Sequence, residues 1–238
     1  MLRLTGLLSV ALVVLLAAGC ATPMAAGHDA LDSAIVVNGT GRVSVAPDTA
    51  LLTLGVESQA ATLAEATADT ARRMSAVVAR IKALGIADPD VTTVAYSVDP
   101  RMAPTDPARR DPPRLVGYQV TNLAQVTVRK PADAGPILDA AVAAGANAVR
   151  GIRFTLADAS PAQAEARKQA VADALAKARQ LAAAAGVTLG PVLAIREGGS
   201  GPPPVPMRAM SFGAVSTPIE PGQLEVAVTV ELRQAIQR

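Results

Sequence analysis

The residues best suited to chemistry are few and scattered. One cysteine, Cys20, and one histidine, His28, stand near the amino end, and neither type recurs further along the chain. Transition-metal sites draw on several His, Cys or carboxylate ligands, and Ser/His/Asp or Cys/His catalysis needs a histidine held in a folded scaffold. His28 lies in a run of Ala, Gly, Thr and Asp that offers no such scaffold, and neither a G-x-S-x-G nor an S-x-x-K pattern occurs. Carboxylates remain for acid/base work. Asp88 with Asp90, and Asp106 with Asp111, are close in sequence, but each pair sits among prolines and charges, the composition of a solvated loop. Gly39-Thr40-Gly41 lacks the third glycine and following helix of a dinucleotide loop, and Arg42-Val43-Ser44-Val45 continues as a strand. A glycine bulge or bend is the expected reading. Arg101 to Arg114 carries four arginines able to meet phosphate, an acidic lipid head group or a partner, diluted by Asp106 and Asp111. Met207, Met210 and Phe212 read as a contact patch or as side chains tucked onto a sheet. No catalytic residue, cofactor or metal is expected.

Cys20 takes its meaning from what precedes it. Arg3 is followed by an uncharged run from Leu4 to Ala18, too short to span the roughly 20 apolar residues of a bilayer core but right for a secretory signal. Leu16-Ala17-Ala18-Gly19-Cys20 resembles the lipobox of bacterial lipoproteins, with the leucine one place early. Residues 1–19 are therefore expected to be a signal peptide and Cys20 the lipid attachment point, which tethers a protein without a membrane-spanning helix. An ordinary signal peptide cut near Ala18 or Ala26 is the alternative. Ala21, rather than Asp, points by the same resemblance to the outer membrane, facing the periplasm. A single thiol forms no internal disulfide.

The 238 residues carry a formal net charge of +2 with 2% aromatics and no Trp, a balance that excludes the basic stripe and stacking rings of a nucleic-acid binder. Half the residues are hydrophobic, many of them Ala, so packing must be close. Residues 20–34 read as a flexible tether and folding is expected from Ile35. Ile35 to Val45 and Leu52 to Val56 alternate around Ala46-Pro47-Asp48 and predict an antiparallel hairpin. Leu63, Thr67, Thr70, Met74, Val77, Ile81 and Leu84 predict an amphipathic helix stopped by Gly85.

Thr92 to Val98 and Val120 to Val128 predict paired strands across an exposed loop at 99–114; a short helix over 132–144 and a strand at Ile152 to Leu156 follow. Ser160-Pro161-Ala162-Gln163 predicts an N-cap and capping box for a second long helix, with Val171, Leu175, Ala178 and Leu181 inward, ending at Gly186. Val192 to Ile195 is a short strand, 198–222 a long mobile loop, and Leu224 to Leu232 the strongest strand. Both long helices end in Gly, an aliphatic residue and a strand, a faint repeat. The class is α+β, a mostly antiparallel sheet with two long amphipathic helices and one short helix, over residues 35–234 as one unit or two subdomains.

As a set, Val37-Asn38-Gly39-Thr40-Gly41-Arg42-Val43, Gly117-Tyr118-Gln119-Val120-Thr121-Asn122, Leu138 to Asn147 and Thr217-Pro218-Ile219-Glu220-Pro221-Gly222 resemble the SIMPL-domain family of periplasmic immunogenic proteins. The resemblance implies an envelope location, an α+β fold, a tendency to form homo-oligomers and a loose link to oxidative or envelope stress; it carries over no active site. The apparent lipobox sets this sequence apart from relatives soluble in the periplasm. The expected role is that of a non-catalytic, lipid-tethered envelope protein acting by self-assembly or through an envelope protein partner. The alternative is a small-ligand binder, or a carboxylate-dependent enzyme, with a pocket near loop 99–114.

Overall fold

A computed structural model describes residues 33–104, 112–198 and 220–237, together with the backbone of 205–207. Cys20, His28, Asp106, Asp111, Met210 and Phe212 lie outside the described residues, as do the signal segment and all of the tether but Ser33 and Ala34, the latter already in the first strand. The elements in chain order are β1 (Ala34–Val45), β2 (Thr49–Ala60), α1 (Leu63–Ala83), β3 (Val91–Met102), β4 (Leu115–Val128), α2 (Ala134–Ala143), β5 (Ala148–Thr155), α3 (Ser160–Ala185), β6 (Thr188–Glu197), β7 (Val205–Met207) and β8 (Gln223–Gln237). They form two antiparallel sheets, one ordered β1-β8-β6 with β7 also beside β8, the other β3-β4-β2-β5. This is the α+β class the periodicities predict. No helix among the described residues is long and apolar enough to cross a membrane.

The predicted hairpin of the first two strands does not form. β1 pairs along its whole length with β8, while β2 pairs with β4 and β5. Asp48, in the link between them, accepts hydrogen bonds from the Thr49 hydroxyl and from the distant Ala157 N–H, both at 2.8 Å, so the link carries the chain from one sheet to the other. Alternation records which face of a strand is buried; it does not record the partner.

α1 forms as predicted. Thr62 accepts from the Glu65 N–H while the Glu65 carboxylate reaches back to the Thr62 N–H, a capping box, and Gly85 leaves the helix at φ +91°. Met74, Val77 and Ile81 pack on Leu52, Leu54, Val56, Ala124 and Val126, making the core of the second sheet.

α3 departs from its prediction at two points. Ser160 is the first helical residue rather than the cap, so no capping box forms; its N–H donates instead to Asp158 Oδ1 at 2.9 Å. The inward stripe is Ala162, Ala166, Ala170, Ala174, Ala178 and Ala182; Val171 and Leu175 are half-buried and Leu181 is 50% exposed. The cause is on β1. A Cβ at Gly39 would stand 2.0 Å from the Ala170 carbonyl oxygen, and one at Gly41 would stand 1.9 Å from that of Ala166. Helix and strand meet backbone to backbone, and only methyl groups fit between them. Val37, Val228, Val230 and Leu232 complete this second, separate core.

The loops also differ from expectation. β3 runs on to Met102 and Ala103 N–H donates to Arg114 C=O at 2.7 Å, so the two ends of the stretch read as loop 99–114 continue the β3–β4 arm, while 105–111 lie outside the described residues. Within 198–222, Val205–Met207 pairs with Gln223–Glu225, and most of the remainder is outside the described residues.

Candidate functional site

The residues singled out for chemistry divide among structural tasks. Asp88 pairs with Lys82 at 2.9 Å, and the nearly buried Asp90 takes two hydrogen bonds from the Arg129 guanidinium at 3.1 and 2.7 Å. Each carboxylate is neutralised by its own cation, so the two do not work as a pair. Gly39 and Gly41 lie mid-strand in unbroken register, so neither a bulge nor a phosphate cradle exists there. Arg101 of β3 donates to Gln59 of β2, across β4. Among the described residues, no group of three or more His, Cys, Asp or Glu could hold a metal ion.

What remains without a structural task is an apolar surface. α1 covers β2 and β4, but β3 extends beyond it as the edge of its sheet. Val94, Tyr96, Val98 and Met102 of β3 and Leu115 and Val116 of β4 are all more than 40% exposed. Along α1, where it faces Asn122 of β4, lies a groove of about 490 Å³ lined by Ala71, Met74, Ser75, Val78, Lys82 and Asn122. Asn122 stands opposite Tyr96 in the register, and its Oδ1 is shut away from solvent without a hydrogen-bond donor. A closed-off acceptor with no donor among the described residues is unusual in a folded protein.

The edges of the two sheets are treated differently. On β1, the side chains of α3 close the outer edge: Thr40 N–H donates to Asp173 Oδ2 at 2.8 Å, Arg42 N–H to Gln169 Oε1 at 3.3 Å, and Lys177 Nζ donates to the Asn38 carbonyl at 3.0 Å. Lys177 and the Thr40 N–H together hold the Asp173 carboxyl below the usual aspartate range. Ser58 does the same for Asp69, with Arg72 and Arg73 contributing, and Ser160 for Asp158; Glu197 raises Arg167. Among the described residues no comparable bonds cover the outer edge of β3, the longest open edge of the fold. Unpaired edge N–H and C=O groups are a template for another strand, and proteins that do not use them guard them.

Residues 35–233 match the family model described as SIMPL, protein of unknown function (DUF541). The chain belongs to the SIMPL family. It is 36% identical over 206 residues to the 26 kDa periplasmic immunogenic protein of Brucella melitensis, covering 83% of this chain and 82% of that one. The Brucella abortus protein of the same name matches to the same extent. The uncharacterized protein YggE of Escherichia coli K12 is 30% identical over 176 residues, 74% of this chain and 70% of its own. None of these names states an activity.

The SIMPL motifs acquire separate physical meanings on this fold. Gly39 and Gly41 admit α3. Asn147 mimics a strand residue: its Oδ1 accepts from Glu57 N–H and its Nδ2 donates to Glu57 C=O, both at 2.8 Å, prolonging the edge of β2 where β5 has not yet begun. Gly117, at φ +158°, lies against the Ala60 carbonyl, 2.5 Å from where a Cβ would be. Asn122 is the motif residue whose side chain faces the groove. Sequence reasoning missed the groove because its walls, one side of α1 and Asn122 of β4, are brought together only by the fold. The signal that could have exposed the open edge beside it is Tyr96 alternating with Val94 and Val98 on a strand that also carries Asp99 and Pro100, edge-strand residues.

Proposed function

We propose that this SIMPL-family protein is a non-catalytic component of the bacterial cell envelope that works by assembling with copies of itself through the β3 edge and the adjoining groove. The observation that carries the reading is the contrast between a guarded β1 edge and an unguarded, apolar β3 edge. Two β3 strands meeting about a twofold axis would pair their free backbone groups and bury Tyr96, Val98 and Met102. The relatives named periplasmic support the compartment. In this reading residues 1–19 direct export, Cys20 carries the lipid, 20–34 form the tether, and the folded part faces the periplasm from the outer membrane. It contributes there to envelope or oxidative-stress tolerance, which the peroxide and detergent sensitivity of a deletion strain tests.

The first measurement is the absolute mass in solution of residues 26–238, by light scattering coupled to size exclusion. A defined oligomer is expected, and a monomer at every concentration would sink the assembly reading. For the anchor, labelled palmitate should enter the full-length protein and fail to enter Cys20→Ser.

A further inference from the structure

We propose that the open face of the second sheet, on the side away from α1, holds a binding site for a phosphoryl group, built by a bulge in β5 that turns two arginines the same way. Thr53 pairs with Gly151 and the next residue, Leu54, pairs with Val149, so Arg150 is an extra residue with no partner on β2. In an unbroken strand residues three apart face opposite sides of the sheet. The inserted residue cancels that offset and brings Arg150 to the face of Arg153, as bulges do where a side chain is re-aimed. Gly151 supports the bulge at φ +150°, where a side chain is strained, and a Cβ there would meet nothing within 4 Å. Glycine is required there by the backbone angle, and the space above it stays open.

That space is a groove of about 320 Å³ whose walls include Leu51, Thr53, Gln125, Arg150 and Arg153. Ile152 and Phe154 point the other way, into the core. Arg153 is free of protein partners among the described residues, and Arg150 is held only by a long ion pair to Glu57, at 3.9 Å too long for a hydrogen bond, with its side chain 56% exposed. Two forked guanidiniums suit the oxygens of a phosphoryl group, and the Thr53 hydroxyl and Gln125 amide offer donors and acceptors to the body that carries it. The size is that of a small ligand site. The site lies on β2, β4 and β5 and does not depend on assembly through β3.

The same phosphoryl chemistry belongs to a soluble phosphate ester or to a lipid head group, and the test separates them. Residues 26–238 are titrated with inorganic phosphate, followed by calorimetry, and sedimented with phosphatidylcholine vesicles with and without phosphatidic acid. Saturable phosphate binding assigns the site to a soluble ligand; sedimentation only with phosphatidic acid assigns it to a lipid. In either case Arg150→Gln and Arg153→Gln should each weaken binding about tenfold, as expected on losing a charged hydrogen-bonding partner. Both side chains are exposed, so the variants should keep the wild-type melting temperature. Binding to neither probe would overturn the proposal. So would an equal loss from Arg196→Gln on the other sheet, since that would reduce the effect to diffuse charge.

Discussion

At the level of single residues, Gly39 shows how a motif can be read correctly in part. Its surroundings ruled out a phosphate loop from sequence alone, because a strand and not a helix follows. The reason for two glycines was invisible, since the helix they admit begins at Ser160, far along the chain. The structure makes the reason testable. Gly39→Ala should destabilise the fold by about 2–3 kcal/mol, because the methyl group would overlap the Ala170 carbonyl and force α3 outward. Chemical denaturation measures this directly, and a neutral result would mean that helix and strand are not in backbone contact. The carboxylate pairs tell the same lesson in reverse. Asp88 and Asp90 are two residues apart, yet their cations, Lys82 in α1 and Arg129 just past β4, come from different parts of the chain and were not recognisable as partners.

Among the elements, those with a local cause were legible. α1 announced itself by its period and by Gly85, both within one stretch of chain, and its capping box of Thr62 and Glu65 is equally local. α3 was located and its inner face read in part: Ala178 is buried and Val171 and Leu175 flank the same core, but Leu181 is exposed and the alanine stripe that the glycines of β1 select by size was passed over. Its faces differ in bulk more than in polarity. The outward residues Gln169, Asp173 and Lys177 read as ordinary helix surface, yet they close the β1 edge. Asp173 makes this pH-dependent. Its folded pKa lies below the unfolded value near 3.8, so its stabilisation is complete above that value and is lost as pH falls through the lower, folded one. Thermal melts from about pH 5 downward should show the wild type losing stability below about pH 4 more steeply than Asp173→Asn, which cannot ionise. Identical slopes would mean that the carboxylate does not hold the strand.

For the whole molecule, the sequence yielded the class and nearly every element but not the pairing of strands. Two alternating strands around Ala46-Pro47-Asp48 look like a hairpin until the competing partners, β8 for one and β4 and β5 for the other, are in place. The open β3 edge follows from that pairing and was equally hidden. If copies meet there, Val98→Lys should reduce the particle mass of residues 26–238 to that of a monomer without altering circular dichroism, since Val98 is already 41% exposed and a charge at an edge opposes strand addition. An unchanged mass would place the contact elsewhere.

The register of the first sheet has a consequence for the order of events during synthesis. Ala34 lies opposite Ala235 and Val45 opposite Leu224, so the earliest strand to leave the ribosome pairs with the last. The second sheet, by contrast, draws all its strands from residues 49–155 and can close without waiting for β8. Until Leu224 to Leu232 arrive, β1 waits as a valine- and glycine-rich segment without a partner, the kind of exposed strand that aggregates or engages a chaperone. A chain cut short before β8 would hold β1 in that waiting state permanently, so the fifteen residues of β8 decide whether the twelve of β1 ever find a sheet.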